Sequence, residues 1–229
     1  MHSIGELIDR IDTPYNKGVA SDDTRLHDRY IYSIMKTSRT TLITNQLKKR
    51  QKISDWNYTI LPCVSLIKVD AGSCPCLPSF GCQVFRTKYR LPKILTDYDK
   101  HLIQFVMGVE NNLLISETTR EEYMYNVGNK YTGNILKYIL EDGYFYVYGK
   151  NVPSVIKVKV LIEDPLELLT FPMLCDENCE DCQDCTSILD LPFPMDEDMI
   201  NPLVDMVNQE VLKNFTQGKE DLTNNTIDG

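Results

Sequence analysis

The chain has one tryptophan, three histidines and no apolar run near the roughly 20 residues that cross a bilayer. His2, His27 and His101 are scattered, so no His-Glu-x-x-His zinc site can form, and no Gly-x-Ser-x-Gly nucleophile turn appears. Phosphate-cradling glycine loops are missing as well. These absences remove the common hydrolase and nucleotide-binding classes and favour a protein that is not an enzyme. The start, Met1-His2-Ser3-Ile4-Gly5-Glu6, lacks the basic residues and apolar stretch of a signal peptide, so a protein made in a cytoplasm is expected. Basic residues also run out along the chain. Residues 1–162 carry 22 Lys and Arg against 16 Asp and Glu, net +6; residues 163–229 carry 2 against 17, net -15. So acidic a last third does not seek nucleic acid. It suits a solvated face, a basic protein partner, or the wall of a passage through which DNA slides without sticking.

What is present suits a globular domain, since 42% of residues are hydrophobic and 25% charged. The pattern from Ser21 to Asp70 organises the rest. Ser21, Asp22 and Asp23 offer N-cap oxygens to a long helix. Leu26, Tyr30, Ile34, Leu42 and Leu47 supply its apolar stripe, and Lys48-Lys49-Arg50 suit its C-terminus. Such a basic run could grip phosphates, but at a helix end it is more simply solvated. Trp56, Tyr58, Ile60, Val64, Leu66, Ile67 and Val69 then read as strand. Ahead of the helix, Ile4, Leu7, Ile8 and Ile11 have the spacing of a short amphipathic helix within an N-terminal arm, residues 1–20.

From 56 to 162 the chain reads as a mostly antiparallel β region. Val84, Phe85 and Tyr89 mark one strand. Leu102 to Val109 favour another. Tyr138-Ile139-Leu140 and Tyr144 to Tyr148 form a hairpin about Asp142-Gly143, a pair suited to positive φ. Tyr144, Tyr146 and Tyr148 share one face and Phe145 and Val147 the other, which marks a packed sheet. Leu166, Leu168, Leu169 and Phe171 suit a short helix or packed loop. A second helix is expected over 196–215, with Met199, Leu203, Val207 and Val211 inward and Gly218 as its stop. Residues 216–229 read as a polar C-terminal arm. The expected fold is α+β: a long N-terminal helix packed on a C-terminal helix, with the β region inserted between them, in one domain over 21–215.

The sharpest local pattern is Cys175, Cys179, Cys182 and Cys185. Four thiolates so close can wrap one tetrahedral zinc, and would leave it no open position for catalysis. The five interleaved acids raise thiol pKa values while attracting cations, and reduced thiols or a disulfide loop would show the same spacing. Cys74, Cys76 and Cys82 form a second cluster. Cys63, within a strand, reads as a buried hydrophobe. This pattern supports a second reading, a small metal-binding interaction or regulatory protein.

Several stretches together resemble the head-to-tail connector ring proteins of crAss-like bacteriophages. They are Lys52-Ile53-Ser54 followed by Trp56 to Cys63, the Cys74-Pro75-Cys76-Leu77-Pro78 loop, Gly128 to Thr132, Phe171-Pro172 and the spaced cysteines. The order of elements is also similar to portal adaptors of short-tailed phages, although the β region here is larger. The resemblance covers residues 21–215. It implies a structural virion protein in a ring of copies, twelve to match a portal, seated between the portal and further neck or tail rings. Genomic DNA would pass through without sequence-specific binding, and no membrane would be involved. It carries over no catalytic or cofactor-binding residue.

Overall fold

The computed structural model describes residues 2–14, 27–70, 83–98, 100–110, 113–126, 129, 131, 135–172 and 187–220, the backbone alone at 83, 126, 170 and 214–220. The chain divides into two compact units. One combines Met1–Asn57 with Cys185–Gly229 and is helical. The other, Tyr58–Asp184, is mostly sheet.

In the helical unit, α1 spans Ile4–Asp12, α2 Asp28–Lys48 and α5 Glu197–Glu220, with single 3-10 turns at Asp55–Asn57 and Ile188–Asp190. Ser3 caps α1, its Oγ accepting from the Glu6 amide at 3.1 Å. Ile4, Leu7, Ile8 and Ile11 are all buried, so the segment expected as an arm contains a helix that belongs to the unit's core. The long helix differs from expectation at its start. His27 has extended backbone angles and caps α2, its Nδ1 accepting from the Arg29 amide at 3.2 Å. Ser21, Asp22, Asp23 and Leu26 lie outside the described residues. The buried stripe is also shifted by one position: Ile31, Ile34, Met35, Ser38, Arg39 and Ile43 point inward, whereas Tyr30 is exposed. α2 ends with Arg50 in the left-handed region (φ 55°) and the Gln51 amide donating back to the Gln46 carbonyl. That is a Schellman closure made without glycine.

Met199, Leu203, Val207 and Val211 of α5 are buried, and α5 packs on α2 and α1. Pro202 is the sixth residue of α5. It removes one helical bond, on the solvent side, because Asp198 and Pro202 are both exposed. The helix runs past Gly218 to Glu220, since one glycine only weakens a helix by about 1 kcal/mol.

The second unit holds β1 (Thr59–Asp70), β2 (Gln83–Thr87), β3 (Thr96–Asp97), β4 (Lys100–His101), β5 (Ile103–Gly108), β6 (Ser116–Glu117), α3 (Arg120–Asn126), β7 (Lys137–Glu141), β8 (Tyr144–Tyr148), β9 (Val155–Val160) and α4 (Glu167–Thr170). Seven strands form one sheet in the order β5-β9-β1-β2-β8-β7-β6, antiparallel except for β6 on β7. β1 changes partner along its length: Thr59 to Ser65 pair with β9, and Leu66 to Asp70 with β2. The two sheet edges then meet. The Ile115 amide donates to Val106 of β5, and the next residue, Ser116, begins the pairing with β7. The sheet is thus nearly closed, which removes the exposed edges an open sheet would present. Its interior holds Leu61, Val64, Val106, Ile115, Phe145, Val147, Ile156, Val158 and Val160.

The β7–β8 hairpin turns through Asp142 (φ 52°) and Gly143 (φ 79°), the expected two-residue turn. Phe145 and Val147 face the interior, and Tyr144, Tyr146 and Tyr148 pack on the outer side with Val84 and Ile139. α3 covers that outer side, with the Tyr123 ring 4.3 Å from Tyr148. This helix was not expected. Thr119 and Glu122 form a capping box: the Glu122 amide donates to Thr119 Oγ1 (3.2 Å) and the Thr119 amide to Glu122 Oε2 (3.3 Å). The Thr-x-x-Glu spacing was readable in the sequence.

Candidate assembly interface

Among the described residues no group of three or more His, Cys, Asp or Glu is placed to hold a metal. Cys175, Cys179, Cys182 and Cys185 lie outside the described residues, as do Cys74, Cys76 and Cys82. Cys63 is not the buried hydrophobe expected. It is half-buried on β1 and disulfide-bonded. No described helix is long and apolar enough to cross a membrane.

The most constrained polar arrangement lies in the helical unit. Arg39 follows Ile31 and Met35 at four-residue steps, and all three are fully buried. A guanidinium there must find acceptors. Arg39 Nε donates to the Pro194 carbonyl (3.0 Å) and Nη2 to the Asn57 carbonyl (3.1 Å), with Phe193 5.9 Å from the guanidinium. Buried Asn57 turns its own side chain to α5. Its Oδ1 accepts from the Asp196 amide (3.1 Å) and its Nδ2 faces Met199 Sδ (3.8 Å). α2, the Asp55–Asn57 turn and the start of α5 are tied by this knot. The preceding Trp56 is left 64% exposed, not packed as strand. Arg39 was legible in the sequence as a charge inside an apolar spacing, off the expected stripe through Tyr30 and Leu42.

A second polar link is on the surface. His2 Nδ1 meets Glu6 Oε1 and His2 Nε2 meets Glu197 Oε1, both at 2.8 Å. Two carboxylates on the two ring nitrogens require both to carry protons. The bonds to Glu197 and then Glu6 raise the His2 pKa, and His2 in turn lowers that of Glu6. In the β unit, Tyr138 is held neutral by burial and by Glu117. Its ring packs edge-on against Phe145 inside the sheet, a structural position.

The surface of the β unit is more suggestive of assembly. Leu113, Leu114, Met124, Tyr125, Tyr131 and Ile135, all between β5 and β7, are exposed, Tyr125 by 92%. These large exposed apolar side chains in one excursion make it the candidate interaction surface. The family described as phage tail ring protein 2 matches residues 6–228, nearly the whole chain. The chain belongs to that family. A ring subunit needs outward-facing apolar surface, which its neighbours cover, and the ring protein described above has it. No curated protein matches the chain.

Proposed function

We propose that this chain is a structural ring subunit of the phage head-to-tail connector, joining portal to tail, lining the channel for the genome and acting as no enzyme. The match to the tail ring family over residues 6–228 carries the reading. The split of +6 against -15 supports it: the acidic last third suits contact with basic protein surface and repels DNA in transit. Twelve copies would match a twelvefold portal, and residues beyond α5 would serve as the portal-facing arm.

The test is electron microscopy and native mass of the purified protein, alone and with portal. Closed rings that seat on the portal are expected, loosening as salt rises, since charges are screened beyond about 10 Å at 0.1 M. Deleting residues 221–229, which leaves α5 whole, is expected to weaken portal attachment without unfolding the chain. Monomers alone under every condition, portal included, would remove the ring. A structural zinc at Cys175, Cys179, Cys182 and Cys185 remains part of the proposal. Elemental analysis should find about one zinc per chain, lost on chelation. Protein made with zinc present and containing none would end it.

A further inference from the structure

We infer that α3 of one copy docks on the outer face of β5–β9–β1 of the next, an inference that rests on the ring reading above. Strand alternation defines the receiving face. Ile156, Val158 and Val160 of β9 point into the sheet interior, so Lys157 and Lys159 point out. Met107 pairs with Lys157, and Phe105 and Ile60 pair with Lys159. Lys159 Nζ lies 5.8 Å from the Tyr58 ring centroid. The face is therefore two ammonium groups framed by apolar side chains, with Ile60 exposed.

The docking element has the opposite character. α3 presents exposed Met124 and Tyr125 beside exposed Glu121 and Glu122, while its one arginine, Arg120, sits 3.9 Å from Glu141. Carboxylates among apolar side chains on one patch match ammonium groups among apolar side chains on the other. Their placement suits a ring. α3 lies on β7–β8, and the near closure of the sheet puts those strands across from β9–β1. Two different, complementary patches on opposite sides of one unit make a head-to-tail contact. That kind of contact builds rings when the rotation closes.

The test uses the full chain and two charge-reversed variants, Lys157→Glu with Lys159→Glu, and Glu121→Lys. All three side chains lie outside the core, and circular dichroism and melting confirm folding. Each variant alone is expected to raise the concentration for half-assembly at least tenfold by native mass and light scattering. An equimolar mixture should recover rings, because the reversed β5–β9–β1 face of one variant meets the reversed α3 of the other while the remaining faces are native. Met124→Ala with Tyr125→Ala, which alters no charge, should weaken assembly at high salt too. A photo-crosslinker at position 125 should capture a second copy at Lys157 or Lys159. Rings formed equally well by wild type and both reversals, or crosslinks to portal in place of a second copy, would overturn the surface and leave the ring reading standing. Wild type that forms no ring in any condition overturns both.

Discussion

The two units of this protein solve the same burial problem with different materials. The β unit is contiguous in sequence, and most of its interior is aliphatic and aromatic. Its strands satisfy their own backbone groups, so the core needs few polar contacts. The helical unit is assembled from two ends of the chain, and its packing surrounds a buried guanidinium. Helices satisfy only their own interiors. The backbone carbonyls of the turns between them, at Asn57 and Pro194, are bonded by Arg39. Where regular structure is interrupted in a core, a polar side chain takes over the hydrogen bonding.

Breaking each unit's central feature is the sharpest way to sharpen this contrast. Arg39→Leu leaves two buried carbonyls without a charged donor and should cost about 3–5 kcal/mol. The sole tryptophan, Trp56, lies beside the knot and reports it by fluorescence during urea unfolding. A loss below about 1 kcal/mol would mean the knot is decorative. Phe145→Ala should cost the β unit a similar amount, about 3–5 kcal/mol, from the cavity left in its interior. Near-ultraviolet circular dichroism, dominated there by the tyrosines of β7 and β8, is the readout. Each substitution should move the signal of its own unit more than that of the other.

Turn chemistry comes next in size and again distinguishes the units. Gly143→Ala should destabilise the hairpin by about 1–2 kcal/mol, because its positive φ disfavours a side chain. A Cβ there would also lie 2.8 Å from Arg90 Nε. Arg90→Ala in the same chain should recover only the steric part. In the helical unit the corresponding position is filled by Arg50 at φ 55°, so Arg50→Gly should instead gain about 0.5–1 kcal/mol. Thermal unfolding of both variants decides it, and equal signs would contradict the backbone reading.

The smallest effect is the pH response of the His2 link. His2 is raised in the folded chain, so its stabilisation is complete below its unfolded pKa, about 6.5, and fades as pH rises through the folded value. Glu6 is lowered, so its share is present above its unfolded pKa, about 4.5, and is lost as pH falls through the folded value. The link should be strongest in mildly acidic solution. The melting temperature of wild type relative to His2→Gln should peak there and converge above neutral pH. A pH-independent difference would show that only the shape of the ring matters.

Much of this architecture was written in local pattern. The Ile4–Ile11 spacing, the Asp142-Gly143 turn, the alternation of Tyr144 to Tyr148 and the stripe of α5 are short-range signals, and each appears where the periodicity of helix or strand puts it. α3 and Arg39 were legible too, as Thr-x-x-Glu and as a charge at a core spacing, but their meaning depends on what packs against them. The start of α2 went the other way: acidic residues near Ser21 looked like a cap, and His27 is the cap in the structure.

Sequence alone determined that this is an α+β protein with a long acidic last third and no catalytic signature, because composition and periodicity are properties of neighbouring residues. Tertiary structure decided that the sheet nearly closes, that Arg39 joins α2 to α5, and that Lys157 and Lys159 lie across from α3. Each of those depends on residues far apart in the chain meeting through hydrogen bonds or packing, and no local pattern specifies which distant partner wins.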